Sequence, residues 1–168
     1  MSTLTPSVEA LHPSLWRAGQ WGRPRETVFA SGHEGLDEAL PGGGWPGGAL
    51  TELLLPHPGL GELRLLAPAL ARLQQQDRWL MWFDPPAEPS AWALESLGLC
   101  TARMVLVRSA RPSARRAGQG MGVGMGVDVL WALEHALKSG HVGAVLAWLP
   151  PRLPADALRR LQLAAQAH

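Results

Sequence analysis

Residues Gly32 to Leu66 read GHEGLDEALPGGGWPGGALTELLLPHPGLGELRLL: an entry segment, a glycine hinge, a strand-like run, a glycine-bearing turn and a helix start. Apolar Leu50 to Leu55 predict a short buried strand, and Pro56 to Gly61 break it. Beyond the break, Leu63, Leu66, Ala67, Leu70 and Leu73 recur at helical spacing, and Pro68 inside that run predicts a kink. A strand, a glycine turn and a helix in this order place the turn where a phosphate loop sits. Such a loop, GxxxxGK[ST], uses glycines so that backbone N–H groups wrap a phosphate, Lys to meet the outer phosphates, and Ser or Thr to hold Mg²⁺. Gly59 and Gly61 are present, but Glu62 stands where Lys belongs and Leu63 where the hydroxyl belongs. A carboxylate about 4 Å from a phosphate oxygen repels it by roughly 4 kcal/mol at an effective dielectric near 20. That is about three decades of affinity, so the loop reads as a degenerate nucleotide site with no cofactor.

Composition bounds the rest. The chain has 168 residues and a net charge of +1, with 17% of residues charged. It is long enough to bury one substantial core and lacks the global basic field that marks many nucleic-acid binders. The single cysteine, Cys100, allows no internal disulfide and fits a reducing cytoplasm. No apolar run is long enough to span a membrane, and the first residues do not form a signal peptide. The six histidines lie too far apart, and too far from Cys or carboxylate partners, to suggest a metal site.

Along the chain, residues 1–24 read as an N-terminal arm bearing Trp16 and Trp21, and residues 25–168 as the core. Thr27 to Ala30 predict a short edge strand, and Gly35 to Leu40 a helical turn stopped by Pro41. Trp79 to Phe83 is continuously apolar, the mark of a strand covered on both faces. Ser90 caps a helix from Ala91 to Leu97 that Gly98 closes. Met104 to Val107 is the next strand. From about residue 110 to 127 the pattern dissolves into a glycine-rich insertion, expected to be flexible. Together with the strand end, it carries Arg108, Arg111, Arg115 and Arg116, a weak candidate for DNA contact because no aromatic interleaves for base stacking. Asp128 opens a helix with Glu134 and Lys138 spaced to pair. Gly143 to Leu149 is a third buried strand, and the tail from Pro154 is a helix with Leu158, Leu161 and Ala165 on one face.

The entry segment resembles that of RecA-like recombinases, TGxxxLDxALGxGGxPxGxxxEI, matching at Gly32, Leu36, Asp37, Ala39, Leu40, Gly43, Gly44, Pro46, Gly48 and Glu52. More closely, LDEALPGGGWPGGALTELL followed by GELRLLAPALARL is similar to the ImuA family of RecA/SulA-like accessory proteins, from about Trp16 to Ala165. The fold the resemblance implies is α/β, a RecA-like P-loop-type core: a mostly parallel sheet of about five strands, including Leu50 to Leu55, flanked by helices. At the positions of the family's catalytic residues stand Glu62 for the phosphate lysine, Pro86 for the water-activating acid two beyond Asp84, and Ala147 where a strand ends in the metal aspartate. Glu88 is a displaced alternative to that acid. The implied function is therefore non-catalytic: an accessory protein of SOS-induced, error-prone translesion DNA synthesis acting by protein contact. The implied partners are an ImuB-type Y-family polymerase-like protein, through it an error-prone replicative-type polymerase, and RecA, with Trp16, Trp21 and Trp45 as candidate anchors. The rivals are a SulA-type cell division inhibitor binding FtsZ and a DNA-binding ATPase. Against the family pattern the chain ends one strand early, as a naturally short or truncated protein does.

Overall fold

A computed structural model describes residues 27–109, 127–149, 153–154 and 156–167. It divides into two compact units, Met1–Gly47 and Gly48–His168.

In the first unit, β1 (Val28–Phe29) pairs antiparallel with β2 (Trp45–Pro46), and the short helix α1 (Glu34–Ala39) lies between them in sequence. Ser31 is fully buried: its N–H donates to Asp37 Oδ1 at 2.7 Å, and its Oγ accepts the His33 N–H at 3.1 Å. These bonds fix the entry to α1. The glycine run has a local cause. A Cβ on Gly44 would lie 2.4 Å from the Phe29 carbonyl oxygen, so only glycine lets the ribbon close.

The second unit is built on three strands in the order β4-β3-β5, all parallel: β3 (Trp79–Phe83), β4 (Met104–Val107) and β5 (Val142–Ala147). β3 is central, and Leu80, Trp82 and Phe83 on it are buried at 0%, 1% and 0% exposure. A strand alternates its side chains between two faces, so cover on both faces explains why the Trp79–Phe83 run is continuously apolar. Phe83 packs with Leu130 and Leu133 of α4 (Val127–Lys138) and Leu161 of α5 (Ala157–Ala165). α2 (Glu62–Gln75) contacts β3 and β5; Ala67, Leu70 and Leu73 are buried along it, and the helix continues through Pro68. α3 (Ala91–Ser96) starts at Ser90, whose Oγ accepts the Ala93 N–H, and Gly98 follows it at φ +82°. A 3-10 turn, Thr101–Arg103, leads into β4. The buried side chain of Gln74 ties this connection down, donating to the Cys100 carbonyl and accepting the Cys100 N–H, both at 2.8 Å.

The RecA-like P-loop-type core with a sheet of about five strands is not formed: among the described residues the parallel sheet has three strands. Leu50 to Leu55 belong to no ladder, and the Thr27 region pairs only in the separate two-stranded ribbon. The Leu50 N–H is taken by Gln162 Oε1 at 2.9 Å, a side chain standing where a neighbouring strand's carbonyl would be. Leu54 is left 91% exposed, the opposite of a buried strand residue. The expected Glu134–Lys138 pair is also replaced, because Glu134 binds Arg160 of α5 at 2.8 Å.

Candidate functional site

The glycine turn before α2 has a definite geometry. Gly59 and Gly61 adopt φ of +90° and +108°, and the backbone around them turns its N–H groups inward. The group that meets them is the chain's own. The Glu62 carboxylate accepts the Gly59 N–H at 2.8 Å through Oε1 and at 3.1 Å through Oε2. Burial raises the Glu62 pKa, but hydrogen bonds from the N–H groups of Gly59, Glu62 and Gly61 and from the Trp148 side chain outweigh it and hold the carboxyl below its ordinary value. The cradle is thus filled by an internal anion at the first turn of α2, where the helix dipole also favours it. Leu63, half-buried on α2, brings no hydroxyl.

The degenerate phosphate-loop reading is corrected accordingly. Glu62 is a loop-closing residue whose donors are satisfied, and the turn is organised around it. A sequence signal existed: a glutamate three residues after a glycine, at a helix start, is placed to cap back onto that glycine's N–H. Trp148 as its fourth donor had no such signal, since it lies 86 positions away by the numbering and meets Glu62 only after β5 is laid beside β3.

Glu62→Gln keeps the size of the side chain and removes the charge. Because the folded carboxyl sits below its unfolded value, its stabilisation is present above the ordinary carboxylate pKa and is lost as pH falls through the folded value. The expected result is a parent melting above the variant at neutral pH, with the two curves converging in acid. A gap that is independent of pH would show that the charge is not what closes the loop.

The other carboxylates of the region are structural too. Asp84, at φ +48°, accepts the Ser109 N–H through Oδ1 at 2.6 Å, while its own N–H donates to the Val107 carbonyl at 2.9 Å. It ties the ends of β3 and β4 together. Glu88 pairs with Arg108, so neither a displaced water-activating acid nor an unpaired cation for a phosphate is found there. Pro86 and Ala147 provide no ligand oxygen. Among the described residues no cluster of His, Cys, Asp and Glu is arranged to hold a metal. Trp45 is half-buried on β2 in the first unit. Trp16, Trp21, Arg111, Arg115, Arg116 and the insertion from 110 to 126 lie outside the described residues.

The described region also exposes large apolar side chains. Leu54, Leu55 and Leu60 are 91%, 40% and 52% exposed, three leucines within seven residues flanking the closed turn. Single exposed leucines are ordinary, while contiguous exposed apolar patches are often functional.

The second unit is thus, among the described residues, a three-stranded parallel α/β unit whose glycine turn is filled from within, with leucines displayed beside it. Comparison with known proteins gives the family. The model for "Cell division inhibitor SulA" matches residues 48–168, coincident with the second unit, and the chain belongs to the SulA family. It is 36% identical over 103 residues to the cell division inhibitor SulA of Edwardsiella piscicida, covering 61% of this chain and 52% of that protein. To SulA of Serratia marcescens it is 31% identical over 112 residues, covering 67% and 58%. The match thus spans little more than half the length of these relatives. The crystal structure of SulA from Pseudomonas aeruginosa is similar with 31% identity, a TM-score of 0.49, and coverage of 70% of this chain and 87% of that one. Family membership overturns the ImuA-type assignment. With it go translesion synthesis as the function and the ImuB-type protein, the error-prone polymerase and RecA as partners.

Proposed function

We propose that the chain is a non-enzymatic inhibitor of cell division that acts by protein contact on FtsZ, the target implied by the SulA branch of the resemblance. The observation that carries the reading is the family match across residues 48–168. The site agrees with it in chemistry. A turn closed by its own carboxylate has no vacancy for a phosphate, and an inhibitor that works by occupancy needs only a surface. Leu54, Leu55 and Leu60 are that surface in this proposal. No described helix is long and apolar enough to cross a membrane; meeting FtsZ in the cytoplasm is part of the proposal.

The test is FtsZ polymerisation followed by light scattering in GTP, with the folded chain added up to a molar excess. Scattering falls as the chain approaches equivalence with FtsZ. Polymerisation that is unchanged in excess chain sinks the proposal. In parallel, titration calorimetry with Mg-ATP is expected to give no saturable heat. Binding tighter than about 100 μM, roughly 5.5 kcal/mol, would mean that the Glu62-closed turn opens to nucleotide after all.

A further inference from the structure

A groove of about 180 Å³ lies between α3 and β4 in the second unit. The sheet register assembles it. Leu80 and Trp82 of β3 stand opposite Met104 and Leu106 of β4, so Trp82, Met104 and Leu106 leave the sheet on one face, and the buried Leu94 of α3 supplies the opposite wall. Two polar side chains in the lining are already engaged. Glu88 is paired with Arg108, so neither leaves a net charge for a ligand to meet, and Thr101 Oγ1 donates to Glu95 Oε1 at 3.0 Å. Trp82 is the exception. Its side chain is 1% exposed, and its buried Nε1 meets no acceptor among the described residues. An indole N–H can only donate, and leaving it unpaired away from water costs free energy.

We propose that this groove binds a small, neutral, apolar molecule bearing one hydrogen-bond acceptor, a ketone or ester carbonyl, which takes the Trp82 N–H. Size and chemistry both narrow the class. An apolar cavity of about 150 Å³ accepts benzene, so a groove of this volume takes a single ring or a short branched chain. The walls reward burial of hydrocarbon, the one free polar group is a donor, and the Glu88–Arg108 pair offers no surplus charge to an ion. Trp82 also reaches the closed turn. Its ring meets Trp148 edge to face, with centroids 5.6 Å apart and planes at 61°, and the Trp148 side chain donates to Glu62. A ligand that shifts the Trp82 ring therefore changes how firmly Glu62 is held between Leu55 and Leu60. On the reading of those leucines as the FtsZ contact, occupancy of the groove regulates how the ridge is presented. The binding itself stands whether or not the chain inhibits division.

Proton–nitrogen NMR on the full chain tests it without any variant, by titration with cyclohexanone at millimolar concentrations. The Trp82 indole signal is expected to move downfield and saturate, and the Gly59 amide, which donates to Glu62, to follow with the same midpoint. Toluene, of similar size but without a carbonyl, is expected to bind about tenfold more weakly. Cyclohexanecarboxylate brings a charge that the groove does not neutralise and is expected to leave the indole in place. Trp45 Nε1 is likewise buried without an acceptor, but on the ribbon of the first unit, so its signal serves as the control and should not move. A Trp82 indole that stays in place, a Trp45 indole that moves alike, or toluene or the carboxylate binding as tightly as cyclohexanone would each overturn the assignment of the groove. A Gly59 amide that stays still while the Trp82 indole saturates overturns the link to the turn. Polymerisation of FtsZ, followed with and without cyclohexanone, is a separate reading: a chain that does not inhibit in either case counts against the division proposal and leaves the NMR result standing.

Discussion

Replacing Phe83 with alanine is expected to lower the unfolding free energy by about 3 to 5 kcal/mol, a large part of the 5 to 15 kcal/mol that typically stabilises a domain of this size. Phe83 is 0% exposed and stands on the central strand, opposite Val107 of β4 and Ala147 of β5. Its ring packs against Val129, Leu130 and Leu133 of α4 and against Ala157 and Leu161 of α5. Truncation therefore opens a cavity where one sheet face meets both helices that cover it, and the sheet below is held by ladders on both sides and collapses poorly into the gap. Phe83→Leu fills most of that volume and is expected to cost much less. The measurement is urea unfolding of both variants beside the parent. A loss under about 1 kcal/mol for Phe83→Ala would mean that α4 and α5 do not pack on this face as described.

The parts of this fold that could be read from the sequence are those decided locally. Trp79 to Phe83 and Met104 to Val107 are strands because apolar runs of that length, bounded by Asp84 and by Ser109, have few other ways to be covered. The Ser90 cap and Gly98 likewise mark α3 by chemistry acting within a few residues. What failed depended on partners distant in sequence. Leu50 to Leu55 has the composition of a buried strand, but its state is set by whether a neighbour offers a ladder, and the Leu50 N–H is met instead by a side chain 112 residues away. The recombinase-like GGGWPGG run misled for a related reason. Its Gly44 answers a contact with the Phe29 backbone in the first unit, and most of the motif lies before the region, 48–168, that carries the family match. Glycine spacing records close approach, and a β-ribbon demands it as readily as a phosphate does. Glu62 was visible in the sequence as an acid in the wrong place for a nucleotide. Its positive role needed the Gly59 and Trp148 donors to be seen together.

The second large effect is expected at Leu54, and it separates contact from stability. At 91% exposure Leu54 contributes almost nothing to the core, so Leu54→Glu should leave the melting transition within about 0.5 kcal/mol of the parent. If the leucine ridge is the surface that meets FtsZ, the same substitution places a carboxylate in an apolar contact. Desolvating that charge without a partner costs at least about 3 kcal/mol, a loss of affinity of roughly a hundredfold. Leu60→Glu, on the other side of the turn at 52% exposure, should act in the same direction. Glu52→Gln serves as the control, since it changes charge on the same exposed segment without placing a carboxylate at a leucine position. Binding to FtsZ and thermal melting would be measured on all three. Full affinity in folded Leu54→Glu and Leu60→Glu removes the ridge from the interface even if the parent inhibits polymerisation. A joint loss of affinity and stability would instead show the leucines to be packing residues. Only loss of affinity at unchanged stability assigns the surface, because it is the one outcome in which the leucines matter to the partner and not to the fold.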